Sequence, residues 1–229
     1  MNQIHIEENQ GNAQLKKAWN VKLSLLVMAI LLAVASCIKS PFWGRDLLLQ
    51  HLGTLILLLP LMLELKNQKL SISACVCLFL FICIHILGAR YIYSNVPYNQ
   101  WAKILLNLNI KKGEVHGNMY DRFVHLAFGV LFFPMVFQIA KRILNTDKIF
   151  PAILFAWLSI QTFSMAYEVF EWLLTLVLSE DGAEGYNGQQ GDTWDAQKDM
   201  ALALVSSTIS AIWIYLLQRR QVKKTSTQK

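Results

Sequence analysis

Six long apolar runs dominate this chain, and they leave it very few folds to choose from. Inside a bilayer no water is available to the backbone, so every N–H and C=O must be satisfied within the protein. A run of about 20 apolar residues therefore becomes a helix. We place the spans at 22–37, 46–65, 70–88, 121–140, 150–178 and 196–217. The fifth is longer than a bilayer requires and should tilt or project. Composition agrees: 16% of residues are charged and 55% hydrophobic, against about 25% charged in a soluble domain. The expected fold is an all-α membrane protein, a single six-helix transmembrane bundle over 22–217. A polar segment, 1–21, precedes it and a basic tail, 218–229, follows. Cys37, Cys75, Cys77 and Cys83 lie in or beside apolar runs and read as small hydrophobes rather than a disulfide framework.

Lysine and arginine set the expected orientation. Lys16, Lys17 and Lys22 precede the first span, and Lys66 and Lys69 separate the second from the third. Lys141, Arg142 and Lys148 separate the fourth from the fifth, and Arg219, Arg220, Lys223 and Lys224 follow the sixth. Six crossings put all four groups on one side, which positive-inside bias makes the cytoplasm, with both termini there. The net charge of +6 is thus accounted for by membrane orientation, and we expect no nucleic-acid partner. The opposite loop before the last span is acidic, with Glu180, Asp181, Glu184 and Asp192, and glycine-rich over 181–191. One loop departs from the rule: Arg90, Lys103, Lys111 and Lys112 fall on the outer side. Within it, residues 101–108 form a short amphipathic stretch suited to lie along the interface.

Against this apolar background the ionisable residues stand out. A charge within a span costs roughly 2.5–3.5 kcal/mol on insertion scales and by default marks a site in the bundle interior. Asp121 and His125 are i,i+4, Glu168 and Glu171 are i,i+3, and Asp192, Asp195 and Asp199 form one stripe. All lie toward the outer ends of their spans, as does His85. Carboxylates and imidazole converging from several helices suit a divalent cation of unspecified identity. We take His125, Glu168, Glu171, Asp195 and Asp199 as metal ligands, Asp121 or His85 as base or supporting group, and Arg90 and Arg122 as holders of a substrate phosphate. The competing structural reading is an ion-paired core in which Arg90, Arg122 and Lys198 neutralise the acids, with Asp192 and Asp195 capping a helix. His51 and His85 each stand alone, and each reads as a satisfied core histidine rather than a ligand. The Glu-x-x-His pattern of di-iron bundles is absent.

These same stretches carry a resemblance. His85–Tyr93 with Val96-Pro97, then Asp121-Arg122-Phe123-Val124-His125, Tyr167–Trp172 and Gln190–Met200 resemble the YjdF-like family of bacterial inner-membrane proteins. That resemblance implies an inner-membrane location and brings no established reaction with it. The chain is more faintly similar to VanZ-like membrane proteins, which open one helix with an acid–basic–x–x–His pattern, carry a glutamate in the next and an aspartate early in the last. Asp121 to His125, Glu168 or Glu171, and Asp195 or Asp199 would fill those places. The arginine that VanZ-like proteins set ahead of the last aspartate has no clear counterpart. This likeness implies a shared fold and site, not a shared substrate.

Three functions fit such a chain. The first is a metal-dependent membrane enzyme acting on a lipid or other amphiphile at the outer face. The second is a proton- or ion-coupled transporter, and the third a non-catalytic protein that binds a lipid or partner. A path for transport must cross the membrane, and the strongly polar residues crowd one half. This ranks an enzyme or a binder above a transporter, with the enzyme narrowly ahead.

Overall fold

The computed structural model describes residues 2–107, 119–177 and 191–227. Eight helices are present among them: α1 Asn2–Cys37, α2 Arg45–Asn67, α3 Ile72–Arg90, α4 Tyr98–Leu106, α5 Met119–Leu131, α6 Phe133–Ile143, α7 Ile149–Val177 and α8 Asp195–Thr227. Six helical stretches are long and apolar enough to cross a membrane, with α5 and α6 together forming the fourth. The chain is therefore an all-α, multi-pass membrane protein. Lys111, Lys112, Glu180, Asp181, Glu184 and the loop up to residue 190 lie outside the described residues.

The elements depart from the sequence expectation in three places. Helix α1 continues through the polar N-terminal segment, and α8 runs far beyond residue 217. The fourth span is broken at Phe132. Pro134 has no N–H to give the turn before it, so the helix is interrupted where α5 meets α6. The 29 residues of α7 extend about 43 Å at 1.5 Å per residue, longer than a bilayer core of about 30 Å, as expected.

Packing follows two stripes. On α7 the buried positions Ala152, Ala156, Ile160, Ser164, Glu168 and Glu171 recur every three or four residues. On α8 Asp195, Asp199, Ala203, Ser206 and Ser210 do the same. Each stripe is small at one end and acidic at the other. Small residues let helix backbones approach within a membrane, where burial away from water drives nothing. Helix α5 packs extensively on α8, and α7 packs on α8 beside it. At Gly129 an added Cβ would overlap Ser206 Oγ and stand 2.8 Å from both Ala203 O and Ser207 N. Only glycine allows this approach, which places His125 and Asp121, one and two turns above it, beside the acidic end of α8.

The opposite membrane face is sealed by an ion pair that local sequence does not announce. Lys22 Nζ lies 2.8 Å from Glu64 Oε1 and 3.1 Å from Gln68 Oε1. Glu64 Oε1 also accepts from Leu70 N at 2.5 Å. Both charged side chains are buried among α1, α2 and α3.

Candidate functional site

The acidic ends of α7 and α8 meet the start of α5 at one membrane face. Asp121, His125, Glu168, Glu171, Asp192, Asp195 and Asp199 are all buried, Asp199 most completely at 1% exposure. One ligand atom each from Asp121, His125 and Asp199 lies within 4.8 Å of the other two, the one such group of three among the described residues. His125 Nε2 approaches Glu168 Oε1 to 3.1 Å, but off the direction a hydrogen bond needs. Glu168 Oε1 and Asp199 Oδ1 are both buried without a hydrogen-bond donor. Glu171 accepts from the Tyr167 side chain one turn before it and interacts electrostatically with Asp121, Glu168 and Asp199. The Tyr167 ring also sits 5.9 Å from that of His125, centroid to centroid.

The rim is built differently. Arg122 donates to Asp192 Oδ2 and, at 3.4 Å, to Asp195 Oδ1. Lys198 Nζ donates to the same Asp192 oxygen at 2.5 Å. The other Asp192 oxygen accepts from Trp194 N at 3.1 Å, shaping the turn into α8. The Lys198 hydrogen bond, helped by that backbone N–H and by Arg122, holds the Asp192 carboxyl below the usual carboxylate range. Asp192 is thus the tether that joins α5 to the entrance of α8.

The structure brings together Asp121, His125, Glu168, Glu171, Asp195 and Asp199, and sorts them. Asp121, assigned a supporting role on sequence, stands in the tightest group with His125 and Asp199. Glu171 and Asp195 stand beside it rather than in it. Arg122 is committed to Asp192 and Asp195. Two expected residues make their contacts elsewhere. His85 Nδ1 pairs with Tyr93 OH at 2.6 Å, and its ring lies against Gly53 of α2, 3.0 Å from where a Cβ would stand there. Arg90 donates to Ser36 O at 2.7 Å, Ile38 O at 3.1 Å and Lys39 O at 3.3 Å. It therefore satisfies the last carbonyls of α1 and the turn after it. His51, as expected, is satisfied between Ser36 and Thr54, each at 3.1 Å.

Sequence reasoning missed Tyr167 and Ser164. Both lie within reach of the same signal, since Ser164 is one turn before Glu168 on the buried stripe of α7 and Tyr167 one turn before Glu171. The buried Ser164 Oγ has no hydrogen-bond partner.

Chemically, the cluster is overloaded with negative charge. Six carboxylates, Asp121, Glu168, Glu171, Asp192, Asp195 and Asp199, face two basic side chains, Arg122 and Lys198, among the described residues. Buried like charges persist only when protons or a cation lie between them. Beside them, between α7 and α8, is a cleft of about 300 Å³ walled by Glu168, Glu171 and Asp195 on its polar side and by Met165, Val169 and Met200 on its apolar side.

A multi-span bundle with a buried carboxylate–histidine cluster at one membrane face defines a class of membrane protein. Within that class, the chain belongs to the family described as Predicted membrane protein (DUF2238), whose model matches residues 21–220. It is similar to the Inner membrane protein YjdF of Escherichia coli (strain K12), 28% identical over 142 residues. The match covers 62% of this chain and 64% of that relative, somewhat under two thirds of its length. No solved structure matches the chain.

Proposed function

We propose that the protein holds a divalent cation between Asp121, His125 and Asp199, with Glu168 adjoining. It uses this cation on an amphiphilic substrate at the outer face of the inner membrane. The observation that carries this reading is the approach of three donor atoms to within 4.8 Å of one another, beside two buried carboxylate oxygens that lack any donor. Ligands on opposite sides of a cation with bonds of 2.0–2.2 Å stand at most about 4.4 Å apart. A closure of a few tenths of an ångström by side-chain rotation therefore completes the site. An imidazole among carboxylates favours zinc or manganese over calcium or magnesium. The cation would offset part of the excess negative charge and polarise a phosphoryl or acyl oxygen or activate water. Glu168, adjoining the site, would take the proton released.

The face is assigned from the lysines and arginines at the other ends of the spans. A second reading, an ion-paired structural core, draws support from the Arg122–Asp192–Lys198 tether. Metal analysis separates the two. The first expects the purified full chain to bind zinc or manganese stoichiometrically, and His125→Ala and Asp199→Asn to lose it while remaining folded. Equal metal content in wild type and both variants would overturn it.

A further inference from the structure

The cleft between α7 and α8 changes character with depth. Helix α7 runs toward the site face and α8 away from it, so Glu171 and Asp195 share the upper level. Met165, six residues before Glu171, and Met200, five after Asp195, both lie roughly 8–9 Å below them at 1.5 Å per residue. The wall is acidic from Glu171 and Asp195 down to Glu168, carries the apolar Val169 at that same depth, and is lined by the thioethers of Met165 and Met200 below. Its outer edge on α7 is made by Met165, Val169 and Trp172, all exposed. Both helices are membrane spans, so this edge faces acyl chains over most of its height rather than water. Methionine adapts its shape to an irregular chain better than branched side chains do. Lys198 of α8 is about half exposed and holds its ammonium against Asp192, which lines the cleft at its mouth.

A ligand that fits such a wall has a charged end and an apolar tail, and it enters sideways. We infer that this seam seats one membrane phospholipid, with its phosphate at the cation site and near Lys198 and an acyl chain over Met165, Val169 and Met200. The placement of the phosphate rests on the cation reading above, because bare carboxylates repel it. The route along the seam rests on the shape and polarity of the wall alone.

The test uses the delipidated full chain in detergent, supplied with phosphatidylglycerol and examined by native mass spectrometry alongside metal analysis and thermal melting. Val169→Trp and Met200→Trp fill the seam from its two walls, and Ile209→Trp, exposed elsewhere on α8, is the control. The expected result is phosphatidylglycerol retained by wild type and Ile209→Trp, and reduced at least about tenfold in the two seam variants, with metal content and melting unchanged. Equal retention in all four proteins overturns the inference. So does equal retention of a trimethylammonium lipid with the same acyl chains and no phosphate. If no metal binds but the seam variants still lose phosphatidylglycerol, the cation reading falls and the lateral seam stands. Should both variants fail to fold, a photoactivatable phosphatidylglycerol cross-linked to wild type decides: adducts within 165–172 or 196–200 support the seam, and adducts elsewhere overturn it.

Discussion

Gly129 of α5 lies so close against Ser206 of α8 that a side chain at 129 has nowhere to go. Two of the atoms in the way, Ala203 O and Ser207 N, belong to the backbone and cannot rotate aside. Gly129→Ala should therefore cost about 1–3 kcal/mol, the usual range for overpacking, and Ser206→Ala should not rescue it. The variant should also bind cation more weakly, since parting α5 from α8 draws Asp121 and His125 away from Asp199. Thermal melting and metal titration of the single and double variants check both statements, and full rescue by Ser206→Ala would contradict the backbone clash.

The buried pair of Lys22 and Glu64 makes an asymmetric prediction. Removing one partner strands the other's charge, so Lys22→Met should destabilise by about 3–5 kcal/mol. Lys22→Met combined with Glu64→Gln should recover much of that loss, because the neutral amide can still accept from Leu70 N. A double-variant cycle on melting in one detergent measures the coupling, and additive losses would mean that the charges act independently.

Asp199 should change sign with its ligand. Without a cation, Asp199→Asn relieves repulsion among buried acids and should raise the melting temperature. With saturating zinc or manganese, wild type should gain about 2.7 kcal/mol at a hundredfold excess over Kd, and the variant little. Melting curves with chelator and with metal distinguish this from a purely structural cluster, in which the order of the two proteins would not change.

Asp192 predicts acid sensitivity of the rim. Its carboxyl is held below the ordinary range, first by Lys198, so its contribution to stability is present above the pKa of the unfolded chain. That contribution is lost as pH falls through the lower folded value. Acidification into and below the normal aspartate range should loosen α5 from α8, and Asp192→Asn should flatten that part of the profile. Hydrogen exchange at the start of α8 as a function of pH reports the change. Equal acid sensitivity in the variant would mean that another group is responsible.

The spans and the convergence of acids could be read from sequence because both are periodic. An apolar run long enough to cross a bilayer is a local signal, and i,i+3 and i,i+4 spacing places side chains on one face before any neighbour is known. What sequence withheld was partnership across the chain. Glu64 has Lys66 as its near neighbour in the sequence, yet its partner, Lys22, lies 42 residues earlier. Arg122 looked free to meet a phosphate because Asp192 is 70 residues away. His85 reads from sequence as a satisfied core histidine, but its partner could not be read there, because it is Tyr93, folded back by the turn after α3. That reversal needs Gly88, where a Cβ would stand 2.7 Å from the Tyr93 ring, and positive φ at both Ile92 and Tyr93. No pattern in the run itself signals such a turn. The break between α5 and α6 has its cause in Pro134, yet the apolar run across it masked it.

The Lys22–Glu64 pair also bears on how the chain enters the membrane. While the ribosome has delivered α1 but not the end of α2, the Lys22 ammonium has no carboxylate to meet and must reach for water or lipid phosphate at the surface. Only when Glu64 emerges can the first helix sink to its final depth. We expect these two helices to settle as a couple, with α2 acting as the latch for α1 during synthesis.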